Sequence, residues 1–453
     1  MLRILLLVSL SIAFAVEEDE FFFFGHEYKR TELGDAVDKA SMRLLKDLYE
    51  SSEDKNVITS PLGVLTLLSL YSTGTTGKIK EEIVNFLGLP DYKKMTESYK
   101  SLTEKFTEMN PEFLTMANKV YVASRYELTD EFTAVATRDY HSEVQALNFT
   151  NPSEAAKIIN EWADQKTRGN IKNPVDENTF SPDTAAALFN IIFFQGHWHV
   201  PFEKADTVDK KFQLSATESV QKPTMHLVQS LFYHEDKELG ARMVELPYKE
   251  PGFRMVVVLP DAMDGLPAVL DKLAQKGVLE DVFAMSPPGQ DVDIDMPKFE
   301  VKSKFNLKDV LVKEGVSSIF NQQAEGIVKG QGVEVSEVFQ EAFVKVDEEG
   351  ATAGAFTGKT KYLAKKKSIH ILEVNLIICF CAQVWCWWQH LRCLSRHHRC
   401  PSRWTDPSST PSCIRTPYSL LAHTRTKLFK RSVYKFHINC LIIRITNKCF
   451  INN

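Results

Sequence analysis

Between Glu341 and Gly358 the chain reads EAFVKVDEEGATAGAFTG. Side chains two apart share a face of a strand, so Ala342, Val344 and Val346 line one face and Phe343 and Lys345 the other. An acidic pair, Glu348 and Glu349, and then Gly350 interrupt the pattern. Beyond them Ala351, Ala353, Ala355 and Thr357 share a face that carries only small, uncharged groups, while Thr352, Gly354 and Phe356 take the other. A strand with such a face can enter an existing sheet, because nothing on it forces a charge out of water. Phe356 is expected to point outward, where bulk is tolerated.

Working outward, the N-terminal third has helical spacing. Leu33, Val37, Ala40, Leu44, Leu45 and Leu48 recur at steps of three and four, and Leu62 to Leu70 follows Ser60-Pro61, an N-cap residue with proline at the first helical position. From Asp183 onward strands take over. Leu188 to Phe194 and Met255 to Leu259 are short apolar runs of the kind buried on both faces, and Val292, Ile294 and Met296 alternate with aspartates. Helices first and sheet afterwards predict an α+β protein. No repeat and no Gly/Ser-rich linker divides the body.

Several ordered motifs resemble the serpin family from about Leu33 to Gly358. Asn56 to Leu62 (NVITSPL) is similar to the segment that opens the family's second helix beneath the central sheet. Ile159-Asn160-Glu161-Trp162 with Thr167 and Gly169-Asn170-Ile171 is similar to its helix F region. Asn190 to Trp198 (NIIFFQGHW) with Pro201-Phe202, Thr207 and Phe212 is the strongest internal match, and Met296-Pro297-Lys298-Phe299 is another. The resemblance implies helices packed around a large central mixed sheet, a smaller barrel-like sheet and an exposed reactive-centre loop. It makes residues 348–357 (Glu348, Glu349, Gly350, Ala351, Thr352, Ala353, Gly354, Ala355, Phe356, Thr357) the loop's hinge, and Ser60 and Asn190 part of the shutter. Trp198 falls in the breach, with Lys298 a partner for Glu348. Gln340 stands where many members have a shutter histidine; its amide can still donate and accept.

The implied function is secreted inhibition of a serine protease by suicide trapping in a covalent complex. Counting from Gly350 puts the scissile bond at Ala364–Lys365, and the surrounding lysines suit a trypsin-like target. Insertion of a dozen residues with ladder bonds on both edges is expected to contribute about 10–20 kcal/mol, at about 0.5–1.5 kcal/mol per bond. A non-inhibitory or non-functional isoform, lacking the normal reactive site and C-terminal strands, remains the alternative.

No enzyme signature is present: the body has no cysteine, no Gly-x-Ser-x-Gly, no Walker-type loop and no His-Glu-x-x-His. His197 and His199 flank Trp198, a spacing read as structural rather than metal-binding. No cofactor or metal is expected. Residues 1–358 carry 37 Lys and Arg against 57 Asp and Glu, an acidic balance that repels nucleic acid and anionic membrane. A monomer is expected.

Two ends differ from the body. Arg3, the apolar run Ile4 to Ala13 and Ala13-Phe14-Ala15 predict a signal peptide, residues 1–15, and hence secretion; Asn148-Phe149-Thr150 is a glycosylation sequon consistent with it. Residues 16–358 form the expected serpin domain, incomplete at its C-terminus. Residues 359–453 carry 17 basic against 2 acidic residues, all eight cysteines and four of the six tryptophans. A zinc module, a disulfide module and intronic sequence read in frame are the three readings of this tail. The codons of Gly358-Lys359 can contain a splice-donor GTAA, which favours retained intron or a mispredicted exon. The family's Pro-Phe-centred closing strands are not recognisable there, which predicts an open barrel.

Overall fold

The structure, a computed structural model, describes residues 4–7, 31–53, 55–214, 217–250, 253–276, 291–350, 366–370 and 376–382. The chain divides into two units, Met1–Trp387 and Trp388–Asn453, of which the second lies outside the described residues.

Helices dominate the first part. After strand β1 (Ile4–Leu7) come α1 (Glu32–Ser51), β2 (Val57–Thr59), α2 (Pro61–Ser72), α3 (Gly77–Leu87) and α4 (Tyr92–Thr107). Then β3 (Leu114–Ala123), α5 (Asp130–Asp139), β4 (Glu143–Leu147), α6 (Pro152–Lys166) and β5 (Ala186–Phe194) alternate. The remainder is mostly sheet: β6 (Val208–Gln213), β7 (Ser219–Ser230), β8 (Tyr233–Asp236), β9 (Ala241–Pro247), β10 (Phe253–Pro260), α7 (Leu266–Lys276), β11 (Asp291–Pro297), β12 (Phe299–Asn306), α8 (Lys308–Lys313), β13 (Glu337–Val346), β14 (Lys366–His370) and β15 (Leu376–Ala382).

This is the α+β architecture that the periodicities imply. On α1 the spaced residues Val37, Ala40, Leu44, Leu45 and Leu48 are buried, and every residue of α2 is buried. Thr31 caps α1 through a 3.0 Å bond from Gly34 N–H. Ser60, by contrast, makes no side-chain cap on α2; Pro61 starts that helix by its fixed φ.

Three sheets result. A five-stranded one has the order β12-β13-β5-β3-β4. Its middle pair, β13 and β5, runs parallel in the register Glu337 with Ala187 through Phe343 with Phe193, and all nine residues of β5 are buried. One face, with Ala342, Val344 and Val346, belongs to the main core cluster, to which α1 and α2 also contribute. The other carries a second cluster, where Ile159 and Trp162 of α6 lie with Phe189, Ile191 and Phe339.

The other two sheets have the orders β2-β1-β15-β10-β9-β8 and β14-β11-β7-β6. Here the structure corrects the expected open barrel. β14 pairs in parallel with β11, and β15 pairs antiparallel with β10 from Ala382 opposite Phe253 to Ile377 opposite Val258. The run Leu376-Ile377-Ile378-Cys379-Phe380 supplies a strand of apolar residues without the proline sought in the sequence. Ile4–Leu7, the start of the expected leader, lies parallel to both β2 and β15. Removal of residues 1–15 would take that strand out of the sheet.

The alternation in β11 suggests one wet face, but Asp293 and Asp295 are both buried. They are matched across the sheet: Asp295 accepts from Lys210 Nζ at 2.5 Å, and its carboxylate lies 3.0 Å from His226 Nδ1. Burial of paired charges looks like a solvated face in sequence, because the partners lie about 70 or more residues away.

Candidate functional site

The site is built where β13 ends and the seam between β13 and β5 opens. At its lower part lies Gln340, 1 % exposed, in the middle of β13. Its carbonyl oxygen accepts from Thr59 Oγ1 at 2.5 Å and Ser60 N–H at 3.0 Å. Its amide nitrogen donates to Ser60 O and to Asn190 Oδ1, both at 2.7 Å. All four hydrogen-bonding positions of the amide are thereby used. Asn190, directly opposite Gln340 on β5, passes the chain on by donating to Asn118 Oδ1 of β3 at 2.7 Å. Ser60 enters through its backbone, and its buried hydroxyl has no hydrogen-bond partner among the described residues. Gly63 of α2 makes the packing possible: a Cβ there would sit 2.2 Å from Asn190 Nδ2.

At the upper end the chain turns sharply. Asp347 N–H donates to Gly350 O at 2.9 Å and Gly350 N–H to Asp347 O at 3.2 Å, closing a two-residue hairpin over Glu348 and Glu349. Gly350 has φ +134°, which L side chains rarely adopt, and a Cβ would meet Gly196 O at 2.1 Å and His197 Cα at 2.7 Å. The sequence therefore has glycine where the hinge closes on the end of β5.

Both acids of the turn are held. Glu348 accepts from Lys298 Nζ at 2.9 Å and from Thr207 Oγ1 at 2.8 Å. Burial works to raise its pKa, but the bonds from Lys298 and Thr207 outweigh it and hold the carboxyl below its usual range. Glu349 pairs with Lys204. The backbone is fixed as well, by Trp198 N–H to Glu349 O at 3.0 Å and Phe202 N–H to Glu348 O at 2.9 Å. Trp198 itself is buried, stacks on Tyr248 with ring centroids 4.7 Å apart, and donates its indole N–H to Asp347 O at 3.0 Å.

Glu348, Glu349, Gly350, Trp198 and Lys298 thus converge at one end of the seam, and Ser60 and Asn190 at its middle. Ala351 to Thr357, Ala364 and Lys365 lie outside the described residues. Asn148 is exposed in a turn after β4. Among the described residues no group of three or more His, Cys, Asp or Glu side chains is placed to hold a metal ion. Sequence reasoning missed Asn118, Thr59 and Gly63, and gave Thr207 no role at the hinge; Gln340, the lone polar residue on the face shared by Val338, Ala342, Val344 and Val346, was the available signal for a buried polar network. Phe356 lies outside the described residues; on the face of β13 that carries Phe339 and Phe343, Glu341, paired with Lys302 Nζ at 2.7 Å, is only 3 % exposed.

Residues 35–376 match the family described as Serpin (serine protease inhibitor).

The chain belongs to the serpin family. Antichymotrypsin-2 of Bombyx mori is 32 % identical over 320 residues, covering 70 % of this chain and 85 % of that protein. Alaserpin of Manduca sexta is 31 % identical over 332 residues, covering 71 % and 83 %. Among solved structures, Serpin48 of Tenebrio molitor superimposes with a TM-score of 0.68 at 30 % identity, covering 77 % of this chain and 94 % of that one. Human thyroxine-binding globulin reaches the same TM-score at 23 % identity, a likeness of fold. The family's description is that of serine protease inhibitors. The match ends at residue 376, within β15, further along the chain than the Gly358 at which the sequence motifs give out.

Proposed function

We propose that this serpin is a secreted inhibitor that traps a serine protease by being cut in the loop that follows Gly350. The protease serine attacks the carbonyl carbon at or near Ala364. The amide bond to Lys365 breaks, the new amine leaves with the proton, and an ester joins protease and inhibitor. Insertion of the freed strand then carries the protease away before water can cleave the ester. The serpin contributes bait and sheet, and no cofactor is required. A trypsin-like enzyme suits the lysines around Ala364, and the inhibitor acts as a monomer. Secretion would expose Asn148 to glycosylation.

The observation that carries this reading is the register at the seam. The hairpin pairs Asp347 with Gly350. Continued antiparallel along β13, it sets Ala351 opposite Val346, Ala353 opposite Val344, Ala355 opposite Ala342 and Thr357 opposite Gln340. These are the core-facing positions of β13, and the matching loop residues are all small. Because β13 and β5 are parallel, a strand antiparallel to one is antiparallel to both. Thr357 would arrive between Gln340 and Asn190, which face each other now, and its hydroxyl can replace the bond that their separation breaks.

The energetics are more modest than a count of both edges gives. The parallel ladder from Glu337 to Phe343 must open first, so only the excess of new bonds over lost ones contributes, at about 0.5–1.5 kcal/mol each. Phe356 adds a cost, since it would come opposite Glu341 beneath α6.

Incubation with trypsin-like and other serine proteases tests the reading. The expected product is an SDS-resistant band at the summed mass; plain cleavage with full release of active protease would overturn it.

A further inference from the structure

The seam between β13 and β5 is also closed by aromatic rings. Phe339 and Phe189 occupy paired positions, one residue before Gln340 and Asn190, and their rings stack with centroids 5.2 Å apart and planes at 27°. Successive side chains of a strand point to opposite faces, so the amide bond and the ring stack shut neighbouring points of the seam from opposite sides. Phe180, from the segment between α6 and β5, touches both rings: its centroid lies 6.1 Å from Phe339 and 6.4 Å from Phe189. It is 6 % exposed, and a fourth ring, Phe149, lies 5.2 Å from it.

The segment that carries Phe180 is fastened on the β5 side of the seam. Before it, the Asn160 amide of α6 donates to Val175 O at 2.9 Å and accepts from Val175 N–H at 3.1 Å. After it, Arg125, just past the end of β3, donates to Pro182 O at 3.1 Å and to Asp183 O at 2.9 Å. α6 is itself tied to β5, β3 and β4: Trp162 meets the rings of Phe189 and Tyr121, each at 6.4 Å, and donates its indole N–H to Glu143 at 3.1 Å. Of the three rings beside Phe180, only Phe339 stands on β13.

We infer that Phe180 is a positioning residue that holds the seam shut, by clasping Phe339 of β13 to Phe189 of β5. Neighbouring strands lie about 4.8 Å apart, so a strand that enters the seam sets β13 on the order of 10 Å from β5. The stack of Phe189 and Phe339 cannot bridge that gap. Phe180, tethered with β5, must then let Phe339 go. Each ring contact given up makes opening about two- to tenfold rarer. The inference rests on the insertion reading and deepens it: Phe180 sets how often the seam opens, beside the bond of Gln340 to Asn190 on the other face.

Amide hydrogen exchange on the uncut full chain tests it. In Phe180→Ala the β13 amides from Val338 to Ala342 should exchange about two- to tenfold faster relative to the β3 amides from Lys119 to Val122, which lie in ladders with β5 and β4 away from the seam. Phe180→Leu keeps apolar bulk without the ring; it should recover part of the ratio, and it serves if the alanine variant folds poorly. A merely structural loss of packing would speed both strands alike. That result, or an unchanged β13, would overturn the inference. Because no protease is present, absence of a covalent complex in a separate reaction would sink the trapping reading while the exchange ratio still decides the role of Phe180.

Discussion

Gln340 Nε2 donates to Asn190 Oδ1 at 2.7 Å, directly across the seam between β13 and β5. This bond joins the two strands that must part if a third is to enter. It also completes a buried network in which every position of the glutamine amide is used.

Gln340→Leu is expected to lower the stability of the native form by about 2–4 kcal/mol, because Asn190 and the Ser60 carbonyl lose buried partners. The seam should also open more readily, seen as faster association of chains on mild heating. Urea unfolding, with light scattering at elevated temperature, checks both. Gln340→His, which keeps a donor and an acceptor, should lose much less.

Gly350→Ala tests the hinge seat. A Cβ cannot be accommodated 2.1 Å from Gly196 O, so the turn must shift, at about 1–3 kcal/mol for the backbone strain alone. Faster amide exchange at Trp198 and Phe202 is the expected sign. Unchanged exchange would mean that the hinge does not close on Gly196.

The ion pair of Lys298 and Glu348 has a defined pH sign. The folded pKa of Glu348 is depressed, so the stabilisation is present above the ordinary glutamate value and is lost as pH falls through the folded one. Lys298→Ala should reduce that acid dependence, leaving the part held by Thr207. In the double variant Lys298→Glu with Glu348→Lys it should partly return. Melting temperatures from pH 2 to 7 give the comparison.

The two faces of the inserting strand should respond oppositely to substitution. Ala353→Arg puts a charge on the buried face, at a cost of several kcal/mol, on the order of 2–7, and should turn inhibitor into substrate: cleavage continues while the covalent complex disappears. Phe356→Ser removes bulk that would meet Glu341 under α6, and should raise the ratio of complex to cleaved product. Gel densitometry after reaction with an inhibited protease measures both ratios.

How much of this was legible in sequence follows from range. The faces of α1 and α2 and the apolar runs of β5 and β10 are local patterns, and they form the elements that those patterns imply. Pairings across more than 100 residues, such as Thr207 with Glu348 or Thr59 with Gln340, leave no local trace. Lys298 could be matched to Glu348 only through the family resemblance. The aspartates of β11 mislead because a charge buried against His226 and Lys210 looks the same in sequence as one in water. β15 was overlooked because its strand propensity came without the expected proline, and Ile4–Leu7 because an apolar N-terminal run suits a leader and a buried strand equally.

The most direct measurement is the melting temperature of the full chain before and after a single cut between residues 351 and 365. Insertion should raise it by about 10 °C or more, given a few °C per kcal/mol for a body of this size. An unchanged or lower melting temperature after clean cleavage would contradict insertion.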